Sequence, residues 1–198
     1  MTVTLLLALM AFAFVSSITP GPNNLMLMAS GANFGFKRTI PHMLGIGIGF
    51  VAMTTIVGLV LMQIFDAYPV AYTVLRYASA AYLLYLAYRI ARAAPPGEGA
   101  KSGKPFSFLQ AAAFQWVNPK AWTMAINAMT QFAPDHSPLS IFLVAAIFGL
   151  VNLPSVSTWT LMGTQIRRFL TRPARLHAFN ITMALLLIAS MIPAWLPH

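Results

Sequence analysis

Two short polar stretches interrupt apolar segments of the chain, and their residues are suited to bind a small polar solute. The first is TPGPNN, residues 19–24, and the second is NPK, residues 118–120. Proline lacks a backbone N–H, and proline or glycine inside a helix weakens its hydrogen-bond ladder. Each stretch therefore brings free backbone groups together with amide, hydroxyl or ammonium side chains. The chemistry available to them is hydrogen bonding and ion pairing.

The first stretch lies in a segment that is too long for one straight membrane helix. No charged residue occurs from Met1 to Phe36, and a helix of that length would be roughly 54 Å long against a hydrocarbon core of about 30 Å. We predict that the helix stops near Ile18 and restarts at Pro22 or Asn23, where unpaired N–H groups form an anion site. The alternative is a simple kink whose carbonyls are capped by neighbouring polar side chains. The candidate substrate-binding residues here are Ser17, Thr19, Pro20, Gly21, Pro22 and Asn23.

The second stretch places a charge inside an apolar run. Lys120 lies near the centre of residues 106–132, where a lysine in a membrane helix costs about 2.5–3.5 kcal/mol on insertion scales. Because apolar residues extend on both sides, snorkelling to an interface is less favoured than a functional role. Asn118, Pro119 and Lys120 are therefore further candidate substrate-binding residues. Lys120 is also the titratable side chain at depth that is suited to proton coupling.

The composition is that of an integral membrane protein. Of the 198 residues, 59% are hydrophobic and 8% are charged, whereas soluble domains are about 25% charged. The net charge of +9 does not indicate nucleic-acid binding, because the basic residues lie in short gaps between apolar runs. The expected partners are a lipid bilayer and a small-molecule substrate, with no nucleic acid, and a homodimer is compatible with the sequence.

Six apolar runs are long enough to cross a bilayer, which takes about 20 residues each. A linker rich in Pro, Gly and Lys, residues 93–107, separates two halves of three spans, residues 1–92 and 108–198. Because three is odd, the halves enter the membrane from opposite sides, as inverted repeats do. We predict an all-α membrane protein, a single domain over residues 1–198, with six transmembrane helices as two three-helix inverted repeats and with broken helices 1 and 4. Pro154 predicts a further interruption, in the fifth span. The spans are predicted at 3–27, 42–64, 69–91, 107–131, 139–161 and 177–196.

The basic residues predict the orientation of these spans. Ten of the twelve Lys and Arg residues follow spans one, three and five, and the gaps after spans two and four contain none. By the positive-inside rule the basic gaps, including the linker, are cytoplasmic and both termini face outward. His42 and His177 are expected at cytoplasmic interfaces.

The sequence lacks the groups that several other functions require. It contains no cysteine, which excludes disulfides, thiolate metal sites and thiol relays. The four histidines show no metal-ligand spacing. Intramembrane proteolysis needs a Ser/His or paired Asp site at depth, and no predicted span contains a carboxylate. We therefore predict a protein that is not an enzyme and has no metal and no cofactor.

The two polar stretches belong to longer motifs. Residues 19–49, TPGPNNLMLMASGANFGFKRTIPHMLGIGIG, and residues 114–122, FQWVNPKAW, resemble signatures of the lysine exporter superfamily, the LysE/RhtB-type amino-acid efflux proteins. The resemblance covers essentially the whole chain. It implies a small bacterial inner-membrane transporter with six spans that exports amino acids or related metabolites in exchange for protons. The resemblance implies that the family's functional motif residues correspond in this sequence to Pro20, Gly21, Pro22, Asn23, Asn118, Pro119 and Lys120.

The leading hypothesis is export of a small zwitterionic metabolite. We expect the restart at Pro22 and the ammonium of Lys120 to bind its carboxylate. Its ammonium is expected to bind exposed carbonyls at the breaks and the side chains of Ser16, Ser17, Thr19, Asn23 and Asn118. A cadmium-type cation exporter of the same superfamily is an alternative, although it requires carboxylate or thiolate ligands. The other alternative function is that of a membrane assembly subunit without transport activity.

Overall fold

The computed structural model of the protein describes residues 1–61, 70–92, 104–133 and 137–190. Within these ranges the chain is helical and has no strand. The eight α-helices are α1 Val3–Ile18, α2 Pro22–Phe34, α3 Phe36–Ile56, α4 Val70–Ala91, α5 Phe108–Phe114, α6 Pro119–Phe132, α7 Pro138–Arg167 and α8 Pro173–Ala189. Two short turns accompany them, a π-helical turn Val57–Leu61 after α3 and a 3-10 turn Gln115–Val117 after α5.

The first predicted span is broken where the sequence indicates. α1 ends at Ile18, α2 begins at Pro22, and the two helices are bent by 55°. Pro22 is the first residue of α2. A backbone N–H at that position has no acceptor within the helix, so proline breaks no helical hydrogen bond there. The prediction of a stop near Ile18 and a restart at Pro22 is confirmed. α2 then ends at Gly35, whose positive φ of 79° turns the chain directly into α3.

The fourth predicted span is broken as well. α5 tightens into the 3-10 turn and stops at Asn118, which has an extended backbone with φ −93° and ψ 107°. A residue before proline avoids the helical region, and asparagine is a preferred N-cap. Accordingly, Pro119 is the first residue of α6, and Asn118 Oδ1 accepts a hydrogen bond from the backbone N–H of Lys120 at 3.1 Å.

The predicted interruption of the fifth span is wrong. α7 is one continuous helix with Pro154 inside it, and α3 likewise contains Pro41. A single proline removes one backbone hydrogen bond, and a long helix covered by neighbouring helices tolerates that loss. The second span also begins earlier than expected, at Phe36, because the turn at Gly35 is tight.

α2 is the central helix of the structure. Most of its side chains are buried, and it packs against α3, α7 and α8. The approach to α7 brings backbone against backbone. A Cβ on Gly31 would collide with the carbonyl oxygen of Thr160, and a Cβ on Gly163 would collide with that of Met28. These glycines therefore set the separation of the two helices.

The helices of the two halves pack in a reciprocal pattern. α1 and α2 contact α7, whereas α5 contacts α3. α3 contacts α7, and α4 contacts α8. The first predicted span of each half thus packs against the second predicted span of the other half, and predicted spans of equal rank contact each other.

Several described helices have the length and composition of membrane spans. Phe36–Val60 and Pro138–Arg167 are each long and apolar enough to cross a bilayer, and the α1–α2 pair meets the same criterion as one bent span. Large hydrophobic side chains such as Leu7, Leu150 and Leu185 are exposed on the outer surface, where lipid would cover them. The protein is an all-α membrane protein.

Parts of the sequence predictions fall outside the described residues. These are most of the linker, the parts of the gaps after predicted spans two and four that contain Asp66 and Asp135, and the last residues of the sixth predicted span. The count of six spans, their orientation and the two-half domain organisation remain predictions.

Candidate functional site

The broken end of α1 is capped by side chains from α2 and α7. The Ser17 carbonyl accepts hydrogen bonds from Asn24 Nδ2 at 2.7 Å and from Ser155 Oγ at 2.8 Å. The Ile18 carbonyl accepts one from Trp159 Nε1 at 3.1 Å. An unsatisfied backbone group in hydrocarbon costs several kcal/mol. These donors therefore stabilise the break.

Lys120 completes the cap. Its Nζ donates hydrogen bonds to the carbonyls of Thr19 at 2.6 Å and Pro20 at 3.4 Å. Its side chain lies across Gly21, where a Cβ would come 2.6 Å from Lys120 Cδ. The C-terminal end of a helix carries partial negative charge, so a cation is stabilised here. The pairing of this ammonium with a substrate carboxylate remains a prediction.

A reciprocal amide pair joins the two broken helices. Asn23 Nδ2 donates to Gln115 Oε1 at 2.9 Å, and Gln115 Nε2 donates to Asn23 Oδ1 at 3.2 Å. Gln115 Nε2 also donates to the carbonyl of Ala111 at 2.9 Å. The first turn of α2 is thereby tied to the end of α5, and both amides have a fixed orientation.

These groups surround one cavity beside the first break. Its empty volume, which includes the part open to the surroundings, is about 360 Å³. The Ser17 hydroxyl is buried and has no hydrogen-bond partner among the described residues. Because α1 ends and α2 begins here, helix ends of opposite partial charge meet at one small space. The lining residues are Ser16, Ser17, Gly21, Asn23, Asn24, Phe50, Asn118, Lys120, Ala121, Met124 and Asn152.

The predicted site residues come together, although not all of them face the cavity. Thr19 and Pro20 contribute carbonyls to the Lys120 ammonium, while the Thr19 hydroxyl donates to Val15 O within α1. Pro22 and Pro119 start α2 and α6 and do not line the cavity. Substrate binding by this set remains a prediction. The predicted residues that line the cavity are Ser17, Gly21, Asn23, Asn118 and Lys120.

Sequence reasoning missed the contribution of α7. Asn152 lines the cavity, and Ser155 and Trp159 donate to the end of α1. Their spacing places all three on one face of a helix, and this polar stripe in an apolar helix was the available signal. Gln115 was missed too, although it lies in the FQWVNPKAW motif.

His42 is buried inside the protein, and its position at a cytoplasmic interface stays a prediction because it depends on the placement of the protein in the membrane. Its side chain is fully buried, and its Nδ1 lies 3.1 Å from Ser30 Oγ. Because α3 begins at Phe36, His42 lies within the helix rather than at its end. Asn180 connects α8 to α2, since its Oδ1 accepts a hydrogen bond from Asn33 Nδ2 at 2.9 Å.

Comparison with known proteins decides the family. Residues 14–190 match the LysE type translocator family, and this range contains both breaks and the whole cavity lining. The chain belongs to the LysE type translocator family. This translocator is 30% identical over 190 residues to the cysteine/O-acetylserine efflux proteins of Escherichia coli (strain K12), Escherichia coli O139:H28 (strain E24377A / ETEC) and Shigella sonnei (strain Ss046). Each comparison covers 95% of this chain and 96% of the relative. No solved structure matches the translocator.

Family membership confirms the resemblance carried by the TPGPNN and NPK motifs. It makes the protein a membrane translocator and not an enzyme.

Proposed function

We propose that this translocator exports a small zwitterionic amino acid or related metabolite, which binds in the cavity at the first break. The observation that carries the proposal is the meeting of three groups in that space: the C-terminal carbonyls of α1, the first turn of α2 and the Lys120 ammonium. An amino acid carries a carboxylate and an ammonium, and the two helix ends offer the complementary partial charges. Secondary transporters built on discontinuous helices bind solutes in this way.

The first turn of α2 is suited to the substrate carboxylate. Gly21 precedes the helix without a side-chain cap, and Pro22 occupies its first position. The backbone N–H groups of Asn23 and Asn24 are therefore among those that have no partner within the helix. The Ser17 hydroxyl, which has no partner among the described residues, can donate a further hydrogen bond to the same carboxylate.

Lys120 occupies the place suited to the substrate ammonium. Its Nζ binds the carbonyls of Thr19 and Pro20 at the negative end of α1. We infer that the substrate ammonium displaces the lysine from these carbonyls, and that the released lysine pairs with the substrate carboxylate. The lysine thus satisfies the carbonyls of the empty site and becomes the counter-charge of the filled one.

The lining of the cavity favours a neutral amino acid. It offers hydroxyl, amide and apolar groups, with no carboxylate to pair with a basic side chain. The relatives are named for efflux of cysteine and O-acetylserine, which are small amino acids with neutral side chains, and we propose the same class here. A cadmium-type cation would meet no carboxylate, imidazole or thiolate in this lining, so the cation alternative is not favoured.

The packing supports a six-span architecture of two inverted three-helix repeats in a single domain. In each half, residues 1–92 and 108–198, a broken helix comes first, a long helix second and another apolar helix third. Both broken helices restart on a proline, Pro22 and Pro119. The reciprocal contacts of α1 and α2 with α7, and of α5 with α3, are those that a twofold relation between the halves would produce.

We further propose a bacterial inner-membrane location with both termini outside and the linker in the cytoplasm. A Cβ on Gly35 would lie 3.2 Å from Arg167 Nη1, so the basic end of α7 adjoins the start of α3 with Lys37 and Arg38. The positive-inside rule assigns that end of the bundle to the cytoplasm. Export against a gradient requires a driving ion, and we propose exchange for protons.

Counterflow into proteoliposomes of the purified protein tests the function, measured as uptake of labelled solute in exchange for unlabelled solute inside. O-acetylserine and its isomer N-acetylserine are a matched pair, because both carry a carboxylate and only the first carries an ammonium. We expect counterflow of O-acetylserine and none of N-acetylserine. Equal transport of the two isomers, or transport of neither O-acetylserine nor cysteine, would overturn the proposal.

Lys120→Ala tests the role of the lysine in the same assay. We expect it to abolish O-acetylserine counterflow while the amount of protein in the membrane is unchanged. Lys37→Ala is the matched control, because it makes the same change at an exposed lysine at the start of α3 and should leave counterflow intact. Normal counterflow by the Lys120 variant would refute its assignment to the site.

A further inference from the structure

The buried imidazole of His42 is a titratable group that the proposed substrate site does not use. The side chain is fully buried, and its Nδ1 lies 3.1 Å from Ser30 Oγ on α2. Its Nε2 has no hydrogen-bond partner among the described residues. A buried polar atom without a hydrogen-bond partner is destabilising, and such atoms in folded proteins call for an explanation.

Among the described residues, the elements packed around α3 carry basic side chains and no acidic one. α3 packs against α2, α5, α6, α7 and the 3-10 turn, and the titratable side chains on these elements are Lys120 and Arg167. Arg89 of α4 lies over the Phe106 ring, and that ring packs against the imidazole with centroids 5.3 Å apart. On α3 itself, Lys37 and Arg38 are exposed. An imidazolium would therefore have no counter-charge among the described residues.

The hydrogen bond to Ser30 spans the turn between α2 and α3. Gly35, with its φ of 79°, is the only residue between these helices. Ser30 lies eight positions after Pro22 on the helix whose first turn lines the cavity, which is about 12 Å at the helical rise. A movement of α2 that opens or closes the cavity would therefore reach the contact between Ser30 and His42.

We propose that His42, rather than Lys120 as expected from the sequence, is the proton-binding residue of this translocator, and that the contact between α2 and α3 decides whether it can hold a proton. This inference rests on the proposed exchange of solute for protons. With α2 packed on α3, the ring is neutral, because a second ring N–H would lack an acceptor and the charge would lack a partner. When the helices separate, water reaches the ring and one proton binds. The change that opens the cavity to the other side packs α2 on α3 again, so the proton leaves to water on that side, and the solute crosses in the opposite direction.

His42→Asn tests this proposal, because asparagine keeps a hydrogen-bonding group near Ser30 and cannot take up a proton. The assay is accumulation of O-acetylserine into proteoliposomes whose interior is one pH unit more acidic than the exterior, with the membrane potential clamped by K⁺ and valinomycin. One pH unit is a tenfold proton ratio, so one-for-one exchange sustains about a tenfold solute gradient. We expect His42→Asn to lose this accumulation and to retain counterflow at equal pH.

His177→Asn is the matched control, since it makes the same change at an exposed histidine on α8 and should retain both activities. A structural role for His42 would instead lower accumulation and counterflow together. Accumulation by His42→Asn equal to that of the unmodified protein would overturn the proposal. Counterflow without pH-driven accumulation in the unmodified protein would also overturn it and leave the proposed function standing. Absence of counterflow in the unmodified protein would overturn both this proposal and the proposed function.

Ser30→Ala supplies a second test that keeps the ring. Loss of the Ser30 hydroxyl removes the hydrogen bond that stabilises neutral His42 in the closed packing. We therefore expect pH-driven accumulation to persist and its pH midpoint to move to higher pH. An unchanged midpoint would contradict the assignment of the proton to His42, even if His42→Asn failed to fold.

Discussion

Replacement of Gly21 by alanine would move Lys120 without changing any polar group. Gly21 has an extended backbone, with φ −177° and ψ 179°, which alanine adopts without strain. The new Cβ would lie 2.6 Å from Lys120 Cδ and 3.2 Å from its Nζ. Because these atoms belong to the far part of a flexible side chain, the lysine swings away and leaves the carbonyls of Thr19 and Pro20.

The magnitude follows from the hydrogen bonds that are lost. A hydrogen bond to a charged group contributes about 1.5–3 kcal/mol, which corresponds to roughly a 10- to 150-fold change in an equilibrium constant. The Thr19 carbonyl keeps its second donor, Asn24 Nδ2 at 2.9 Å, so the free energy of unfolding should fall by no more than this amount. Because the substrate ammonium no longer has to displace the lysine from these carbonyls, we expect Gly21→Ala to fold and to reach half-maximal O-acetylserine counterflow at a concentration at least about tenfold lower.

Counterflow measures the transport of Gly21→Ala, and thermal unfolding measures its stability. Two other glycines serve as controls in these assays. At Gly31 the added Cβ would collide with the backbone oxygen of Thr160, which cannot swing aside, and overpacking of this kind costs about 1–3 kcal/mol or more. Gly31→Ala should therefore lower stability and protein abundance. A Cβ added at Gly47 would have Leu153 Cδ2 as its nearest atom, at 3.9 Å. Gly47→Ala should therefore lower neither the stability nor the abundance of the protein. A half-maximal concentration for Gly21→Ala equal to that of the unmodified protein, or a loss of stability as large as that of Gly31→Ala, would refute the reasoning.

The remaining contacts of the break give two further predictions. Gln115→Leu removes one member of the amide pair with Asn23 and should lower the free energy of unfolding by about 1–3 kcal/mol, with slower counterflow. In a double-mutant cycle with Asn23→Leu, simple additivity of the two losses would show that the pair is not coupled. Trp159→Phe removes the donor to the Ile18 carbonyl and should destabilise the protein by about 1–3 kcal/mol in thermal unfolding. An unchanged melting temperature would mean that another group satisfies that carbonyl.

The sequence by itself determined where the chain breaks. Pro20, Gly21 and Pro22 are consecutive helix breakers, and backbone sterics alone end α1 at Ile18 and begin α2 at Pro22. The NPK stretch likewise predicted the restart of α6, because a residue before proline avoids the helical conformation. The family was recognisable for the same reason, since its motifs are these two breaks. Pro154 shows the limit of predicting helix breaks from prolines, because this single proline does not interrupt the long helix α7, which neighbouring helices cover.

Only the tertiary structure decided which groups satisfy the broken end and which face the cavity. Lys120 binds a carbonyl 101 positions away in the chain, and Trp159 binds one 141 positions away. The burial of His42 likewise depends on how α2 meets α3. A helix break is set by local backbone geometry, whereas side-chain partners depend on which helix faces meet. In a membrane protein the lipid-facing and core-facing surfaces are both apolar, so hydrophobic periodicity does not reveal those faces.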